Sequence, residues 1–130
     1  MPHISHNPPQ VAPPVGGYSH GLEVKPGVRL LFISGEIPEG PDGQVPPHFR
    51  EQCEAIWQNI FAVLHSAGMT VDNLVKVTTF LTDRSQVDAN GEIRRQYLGE
   101  AKPALTVIIA QTLYPEWQLE IEAIAAADAP

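Results

Sequence analysis

Two segments of this chain are largely apolar at both of the alternating sets of positions that a β-strand presents. They are residues 28–34 (VRLLFIS) and residues 104–110 (ALTVIIA). Successive side chains of a strand point to opposite faces of the sheet, so a strand with one wet face alternates apolar with polar residues. Neither segment alternates in this way. We therefore expect that both faces of the sheet that contains them are buried.

Two helices are predicted to cover one of those faces. From His48 onward, apolar residues recur at spacings of three and four, the period of a single buried helical face. These residues are Phe49, Cys53, Ile56, Trp57, Ile60, Val63, Leu64 and Ala67. Gly68 is placed to end this helix. A second, weaker helical pattern covers residues 86–98.

The other strands are predicted from short segments rich in β-branched residues. Residues 74–82, 104–112 and 118–126 have this character, and residues 19–25 are expected to pair with residues 28–34 across a Pro26-Gly27 turn. The resulting order, ββαβαββ, predicts an α/β (α+β) fold with a mixed sheet and two helices on one face. Since two helices cover one face only, partner subunits are expected to cover the other.

Proline separates an N-terminal arm from a single domain. Residues 1–17 contain five of the thirteen prolines, which lack an amide donor and disfavour helices and central strands. We therefore expect an extended arm over residues 1–17 and one domain over residues 18–130. The proline-rich and glycine-rich segment 36–47 is expected to be a loop that adds no element.

Charge and composition argue against several classes of protein. Eight Lys and Arg against fifteen Asp and Glu give a formal net charge of −7, which repels a phosphate backbone, so no nucleic-acid partner is expected. No apolar run is long enough for a membrane span and no secretory pattern opens the chain, which predicts a cytoplasmic protein without a membrane partner. The single cysteine, Cys53, is interpreted as a core residue.

With these elements in place, five stretches in order resemble the Rid (YjgF-type) family from about residue 16 to residue 126. They are GGYSHG (16–21), FISGEIP (32–38), the helix positions Gln52, Asn59 and Ala67-Gly68, NLVKVTTFLTD (73–83) and LEIEAIA (119–125). The resemblance implies a chorismate-mutase-like fold, a homotrimer, and pockets between its subunits.

The resemblance also implies a chemistry, the hydrolysis of reactive enamines and imines without a metal or an organic cofactor. That reaction needs a clamp for the substrate carboxylate, a polar environment for the imine nitrogen and a positioned water. The family's water-holding glutamate corresponds to Glu120. On a strand of period two, Glu120 lies on the face away from the helices, where burial beside Glu122 should favour its neutral form. Glu120 is therefore the catalytic candidate.

The substrate-binding positions depart from the family pattern. Leu105 stands where the family has its carboxylate-binding arginine, Val107 where it often has cysteine, and Gly91 and Arg94 where it often has asparagine and tyrosine. Loss of a bidentate charged contact costs on the order of 2–5 kcal/mol of binding to an anionic substrate. The substrate is therefore expected to be less anionic, or bulkier and more apolar, than the usual one. Replacement of the clamp by Arg94, beside Arg95, stays open.

Other polar residues carry weaker arguments. Tyr18 and Ser34 match family positions near the pocket and are substrate-binding candidates, although Tyr18 would serve equally as a packing residue. His20 could act as an acid or base, but the sequence names no partner for it, and a surface role is the simpler interpretation. His3 and His6 lie in the arm with no cysteine or carboxylate close by, so no metal site is expected there.

Two functions stay open on the sequence alone. One is a cofactor-free small-molecule enzyme that uses Glu120 on an enamine or imine, by hydrolytic deamination or by tautomerisation, with a non-standard substrate. The alternative is a non-catalytic metabolite-binding trimer of the same fold. Ribonuclease activity, an older description within the family, is disfavoured by the charge of −7.

Overall fold

A computed structural model describes residues 3–130, which form six strands and two helices. The strands are β1 (His3–His6), β2 (Gly21–Val24), β3 (Val28–Glu36), β4 (Leu74–Leu81), β5 (Ala104–Ile109) and β6 (Leu119–Asp128), and the helices are α1 (Phe49–Ser66) and α2 (Val87–Leu98). The predicted fold class is confirmed, and β1 is a strand that the sequence did not predict. Within the described part of the chain, neither helix has the length and apolar character needed to cross a bilayer.

Helix α1 supplies one side of the hydrophobic core. Its predicted apolar residues turn inward, with Cys53, Ile56, Trp57 and Ile60 fully buried. Ala67 caps the helix, and Gly68 follows with a φ of 71°, a left-handed conformation that glycine adopts without a steric penalty. The helix therefore ends where the sequence predicts.

The main sheet has four strands in the order β3-β6-β4-β5. Strand β6 runs antiparallel to both of its neighbours, whereas β4 and β5 are parallel. On β6, Leu119, Ile121 and Ala123 are buried in the core that the helices cover. Glu120 and Glu122 alternate with them and lie on the opposite face, as the period of the strand predicts.

The face away from the helices, called the outer face below, is apolar over much of its area. Its residues, read from the strand register, are Leu30 and Phe32 of β3, Lys76, Thr78 and Phe80 of β4, Thr106 and Ile108 of β5, and Glu120, Glu122 and Ile124 of β6. Phe32 is 70% exposed and Leu30 is 50% exposed. A single chain therefore buries only one of the two faces, and an apolar surface of this kind is available to a partner.

The expected pairing of residues 19–25 with residues 28–34 is wrong. Strand β2 pairs with β1 in a separate two-stranded sheet, and β3 pairs with β6. Gly27 does form a turn, with a φ of 80°. However, the long strand β3 lies against the largely buried β6, which offers it more apolar contact than the short and partly exposed β2.

The N-terminal segment is only partly an unpaired arm. Residues 3–6 form β1, whose register with β2 pairs His3 with Val24 and His6 with Gly21. Residues 8–17, which hold four prolines, form neither helix nor strand. The loop at residues 37–48 also adds no element, as expected.

Candidate functional site

Glu120 lies beside an irregularity in the pairing of β3 with β6. Ile33 pairs with Ala123, but Glu36 pairs with Ile121, so β3 has one residue more than β6 across this interval. The extra residue makes a β-bulge, a feature common near functional sites. The bulge brings the backbone of β3 close to the Glu120 side chain.

Gly35 within this bulge provides the space that the Glu120 carboxylate occupies. A methyl group on Gly35 would overlap Oε2 of Glu120 and would lie 2.9 Å from its Cδ. Gly35 does not have a positive φ, so the need for glycine comes from the close approach and not from backbone strain. The sequence motif FISGEIP contains this glycine, but no pattern in the sequence shows that it faces Glu120.

The carboxylate of Glu120 is partly dehydrated and lies near other acids. Burial raises the pKa of Glu120, and repulsion from Glu122 raises it further. Burial also raises the pKa of Glu36, with a second contribution from Glu120. These directions are those expected for carboxyl groups that lose hydration beside like charges. Glu120 is therefore better suited to exchange protons near neutral pH than an exposed glutamate.

Ser34 lies in the same bulge and on the same side of the sheet. It lines a depression of about 260 Å³ on the outer face together with Lys76, Thr78 and Glu122. The Lys76 ammonium donates a hydrogen bond to Thr106 Oγ1 at 2.6 Å. Ser34 is exposed and is available for binding.

Leu105 and Val107 lie on β5, the edge strand at the other end of the sheet. Leu105 pairs with Val77, which is a core residue, and packs against the core from the helix side. Val107 pairs with the buried Thr79 and so lies on the same side. Both residues are therefore on the face opposite to Glu120.

A cleft of about 570 Å³ separates β5 from helix α2. We call it the α2–β5 cleft, and its lining consists of Val87, Asp88, Asn90, Gly91, Glu92, Arg94, Arg95 and Val107. Three of the positions at which the sequence departs from the family, Gly91, Arg94 and Val107, thus meet in one place. The departures are spatially clustered, although they are far apart in the chain.

Arg94 is a largely buried cation in this cleft. Its side chain is 9% exposed, and Nη2 donates to the carbonyl oxygen of Gly16 at 3.2 Å. Burial lowers the pKa of Arg94, and Arg95 lowers it further. Its Nε and the Oδ1 of Asn90 have no hydrogen-bond partner among the described residues. The surroundings of Arg94 therefore leave part of its hydrogen-bonding capacity unused.

Tyr18 reaches the same end of the molecule through its neighbour Ser19. The Ser19 amide donates to the carbonyl oxygen of Pro103 at 3.1 Å, and Ser19 forms a parallel bridge with Ala104 at the start of β5. The Tyr18 ring packs edge to face against His20 with a centroid distance of 5.4 Å. Tyr18 is thus placed near the beginning of the strand that carries Leu105.

The six predicted site residues form two groups in one chain. Tyr18, Leu105, Val107 and Arg94 gather around β5, whereas Ser34 and Glu120 lie at the bulge between β3 and β6. The sheet separates Leu105 from Glu120, because the two side chains point to opposite faces. One chain therefore does not bring all six residues together.

His6 and His20 have local hydrogen-bond partners, and Cys53 is buried in the core. His20 Nε2 lies 2.6 Å from the carbonyl oxygen of Ala12, and His6 Nε2 lies 2.8 Å from Glu23 Oε1. Within residues 3–130, no group of three or more His, Cys, Asp or Glu side chains is arranged to hold a metal ion. Cys53 is fully buried, and burial raises the pKa of its thiol to about 12, so it stays unreactive.

Gln52 is a positioning residue whose importance the sequence did not show. Its Nε2 donates to the carbonyl oxygens of Pro46 at 2.8 Å and Glu116 at 2.9 Å, and its Oε1 accepts from the amide of Gln118 at 2.8 Å. These bonds hold the entry to β6 two residues before Glu120. The available signal is a polar residue on the otherwise apolar face of α1, between Phe49 and Cys53.

Known proteins resemble this chain over most of its length. The family model described as Endoribonuclease L-PSP matches residues 9–127. A RutC family protein of Aquifex aeolicus is 36% identical over 120 residues, which are 90% of this chain and 94% of that protein. TdcF of Escherichia coli, named by inference a reactive intermediate deaminase, is 30% identical over 115 residues, covering 85% of this chain and 87% of TdcF.

Solved structures agree with the sequence matches. YyfB of Yersinia pestis, described as a conserved Rid family protein, superposes with a TM-score of 0.87 at 29% identity, covering 98% of this chain and 100% of that one. TdcF with bound serine superposes with a TM-score of 0.73 at 30% identity, covering 88% and 90%. From the family match over residues 9–127 and from these relatives, it follows that the chain belongs to the Rid (YjgF-type) family.

Proposed function

We propose that this protein hydrolyses an enamine or imine to a carbonyl compound and ammonia, without a cofactor, with Glu120 as the acid–base group. The observation that carries this proposal is the partly buried Glu120 carboxylate, which has a raised pKa and lies against Gly35 at a β-bulge. Family membership supports it. TdcF is named by inference a reactive intermediate deaminase, and one of its structures holds serine, a small amino acid.

The reaction requires one group that first takes and then gives a proton. Water adds to the carbon of the C=N bond while the Glu120 carboxylate removes a proton from it. Glu120 then gives this proton to the nitrogen, which completes a carbinolamine. Glu120 next takes the proton of the carbinolamine hydroxyl group and passes it to the nitrogen, so that the C–N bond breaks and ammonia leaves as the C=O bond forms. A carboxyl group with a raised pKa serves both steps better than an ordinary one, because its two protonation states are closer in free energy near neutral pH.

We further propose that the complete site forms between copies of the chain in a cytoplasmic homotrimer. Glu120 and Ser34 lie on the apolar outer face, and Leu105, Val107 and Arg94 lie around the edge strand β5. A partner packed on the outer face of one chain would place its own residues against Glu120. The two groups of predicted residues would then come from different subunits.

The substrate is expected to be more apolar than the usual substrates of the family. Leu105 and Val107 present branched hydrocarbon where the family pattern has an arginine and often a cysteine. A carboxylate placed against these side chains would lose its hydration without gaining a partner. We therefore propose that an apolar group of the substrate lies against Leu105.

The test is ammonia release from freshly generated imines and enamines that differ in charge and side chain. Wild type should release ammonia, and Glu120→Gln should lower the rate by about 100-fold or more, the usual contribution of general acid–base catalysis. Gly35→Ala should also lower it, because the added methyl group displaces the carboxylate. Gly21→Ala is the matched control, since a methyl group there meets its nearest atom, His6 Cβ, only at 3.8 Å.

Each outcome discriminates between functions. Unchanged release in Glu120→Gln would reject the role of Glu120. If wild type releases no ammonia from the whole panel, deamination is rejected. Proton exchange without ammonia would then identify tautomerisation, and ligand binding without any turnover would identify a metabolite-binding trimer.

We do not propose an action on RNA, although the family model is described as an endoribonuclease. The net charge of −7 opposes binding of a polyanion. The side chains that would meet such a substrate at the bulge are acidic, since Glu120 raises the pKa of Glu36 and Glu122 raises the pKa of Glu120. RNA cleavage by the purified protein that Glu120→Gln abolishes would overturn this judgement.

A further inference from the structure

Arg94 is a buried positive charge without a counterion. The ion pairs found within residues 3–130 join His6 to Glu23 and Arg50 to Glu92, and neither includes Arg94. Buried charges in proteins are ordinarily paired, because desolvation of an unpaired ion is unfavourable. The contact from Arg94 Nη2 to the Gly16 carbonyl supplies a dipole but no negative charge.

The α2–β5 cleft around Arg94 has an excess of positive charge. Two guanidinium groups, those of Arg94 and Arg95, and two carboxylates, those of Asp88 and Glu92, line it. Glu92 Oε2 already accepts a hydrogen bond from Arg50 Nη2 at 2.7 Å. With Arg50 counted, three guanidinium groups share the carboxylates of Asp88 and Glu92, so this group of side chains has one positive charge in excess.

The two guanidinium groups converge over Gly91. A side-chain carbon at this position would lie 3.1 Å from Arg95 Nη1 and 3.9 Å from Arg94 Nη2. Glycine therefore keeps open the space between the two cations. Val107 closes the cleft from the β5 side with an apolar surface. The result is a recess with N–H donors on one wall and hydrocarbon on another.

We propose that the α2–β5 cleft binds the carboxylate of a small organic monoanion, held by Arg94 with Arg95 beside it. A planar guanidinium offers paired N–H groups that match the two oxygens of a carboxylate. One uncompensated charge suits a monoanion better than a doubly charged phosphate, and about 570 Å³ is ample for a small metabolite. Asn90, 2% exposed with an unpartnered Oδ1, lies one turn before Arg94 and adds a buried polar group to the cleft.

This inference deepens the proposed function and rests on it only for the identity of the ligand as a substrate. The substrate would carry its carboxylate at α2, and its apolar group would lie against Leu105 and Val107. The enzyme would thus bind an acidic enamine or imine through a cation on a helix instead of one on β5. The substrate class is an apolar 2-imino or 2-enamino acid.

The experiment measures binding, without turnover, by titration calorimetry on the full chain. The probe is 4-methyl-2-oxopentanoate, a stable 2-keto acid with an apolar side chain. Its neutral counterpart is 4-methyl-2-pentanone, in which a methyl group replaces the carboxylate, and inorganic phosphate tests for general anion binding. Wild type should bind the keto acid and show no measurable affinity for the ketone.

Variants test the role of Arg94 directly. Arg94→Gln should weaken keto-acid binding by about 30-fold or more, as expected for loss of a charged hydrogen-bonded contact. Arg94→Lys keeps the charge but not the planar guanidinium group, so its affinity for the keto acid should lie between those of wild type and Arg94→Gln. Arg84→Gln removes the same charge at an exposed position before α2. Its affinity for the keto acid should stay within about twofold of that of wild type.

Several results would overturn the inference. These are no keto-acid binding by wild type, equal affinity for the ketone, tighter binding of phosphate, or equal affinities of Arg94→Gln and Arg84→Gln. If circular dichroism shows that Arg94→Gln does not fold, Arg94→Lys and the comparison of acid with ketone on wild type decide the matter. Binding without ammonia release would reject the proposed function alone, whereas release that is equally fast from neutral imines would reject this inference alone.

Discussion

Glu120 and Arg94 are two ionisable residues that the fold partly removes from water, with opposite effects on their proton affinities. Burial raises the pKa of the Glu120 carboxyl group and lowers that of the Arg94 guanidinium, because in each case the charged form loses hydration. An arginine nevertheless keeps its charge at all ordinary pH values. Glu120 is therefore the group able to move a proton, and Arg94 is the fixed charge.

The raised pKa of Glu120 predicts a pH-dependent effect on stability. Because the folded chain binds this proton more tightly than the unfolded chain, the stabilising contribution is present in acid and is lost as the pH rises through the folded pKa. Glutamine resembles the protonated form at every pH. Glu120→Gln should therefore unfold at a higher urea concentration than wild type at about pH 7, and the difference should shrink towards about pH 4.

The control for this prediction is Glu100→Gln, which removes the same charge at an exposed position after α2. It should change the urea midpoint less than Glu120→Gln does at about pH 7. A Glu120→Gln variant that is less stable than wild type at neutral pH would show that the charged form of Glu120 is stabilised in the folded protein, contrary to our interpretation.

At the scale of elements, α1 does more than cover the sheet. Gln52 holds the segment that enters β6, and Asn59 Nδ2 donates to the carbonyl oxygens of Ile37 and Glu39, both at 3.2 Å, just after β3. The helix thus fixes the segment that leaves β3 and the segment that enters β6, both at the same end of the bulge that carries Gly35. The geometry around Glu120 depends on polar residues of a helix that faces the other side of the sheet.

Gln52→Leu should destabilise the protein by about 3 kcal/mol, because it leaves buried backbone groups without their partners. The exposed residue Gln96 of α2 provides the matched control, and Gln96→Leu should change stability by less than about 0.5 kcal/mol. Urea unfolding of both variants measures the difference. Equal stabilities would mean that water replaces the three bonds of Gln52 at no cost, and that Gln52 does not position β6.

At the scale of the whole molecule, the outer face decides whether the site is complete. Phe32, on the edge strand β3, is 70% exposed, and the predicted site residues lie on both faces of the sheet. When a second copy covers such a surface, burial of apolar area stabilises the assembly by about 25 cal/mol for each Å². Assembly and catalysis are thus expected to depend on the same surface.

Phe32→Lys should dissociate the expected homotrimer, since it places a charge on the apolar outer face that a partner would bury. Light scattering coupled to size-exclusion chromatography gives the mass directly, and ammonia release should fall with the mass. Val15→Lys is the control, because Val15 is 77% exposed but lies outside the sheet. Wild type that elutes as a monomer at micromolar concentration would contradict the assembly that the apolar outer face predicts.

Local patterns in the sequence were sufficient to predict most of the helices and strands. Periods of three to four residues located α1, and β-branched segments located β4, β5 and β6 to within a few residues, because such patterns depend only on which side chains share a face. The same alternation placed Glu120 opposite to the core. The raised pKa that burial beside Glu122 predicts is also present.

The tertiary structure decided what local pattern cannot express. The choice of β6 over β2 as the partner of β3 depends on contacts between segments about ninety residues apart, where total apolar burial outweighs a favourable turn. The bulge that seats Glu120 over Gly35, and the burial of Arg94 without a counterion, arise from the same long-range packing. The sequence by itself therefore determined the elements and the candidate acid, and only the three-dimensional arrangement decided which residues share a site, because that depends on pairings between distant segments.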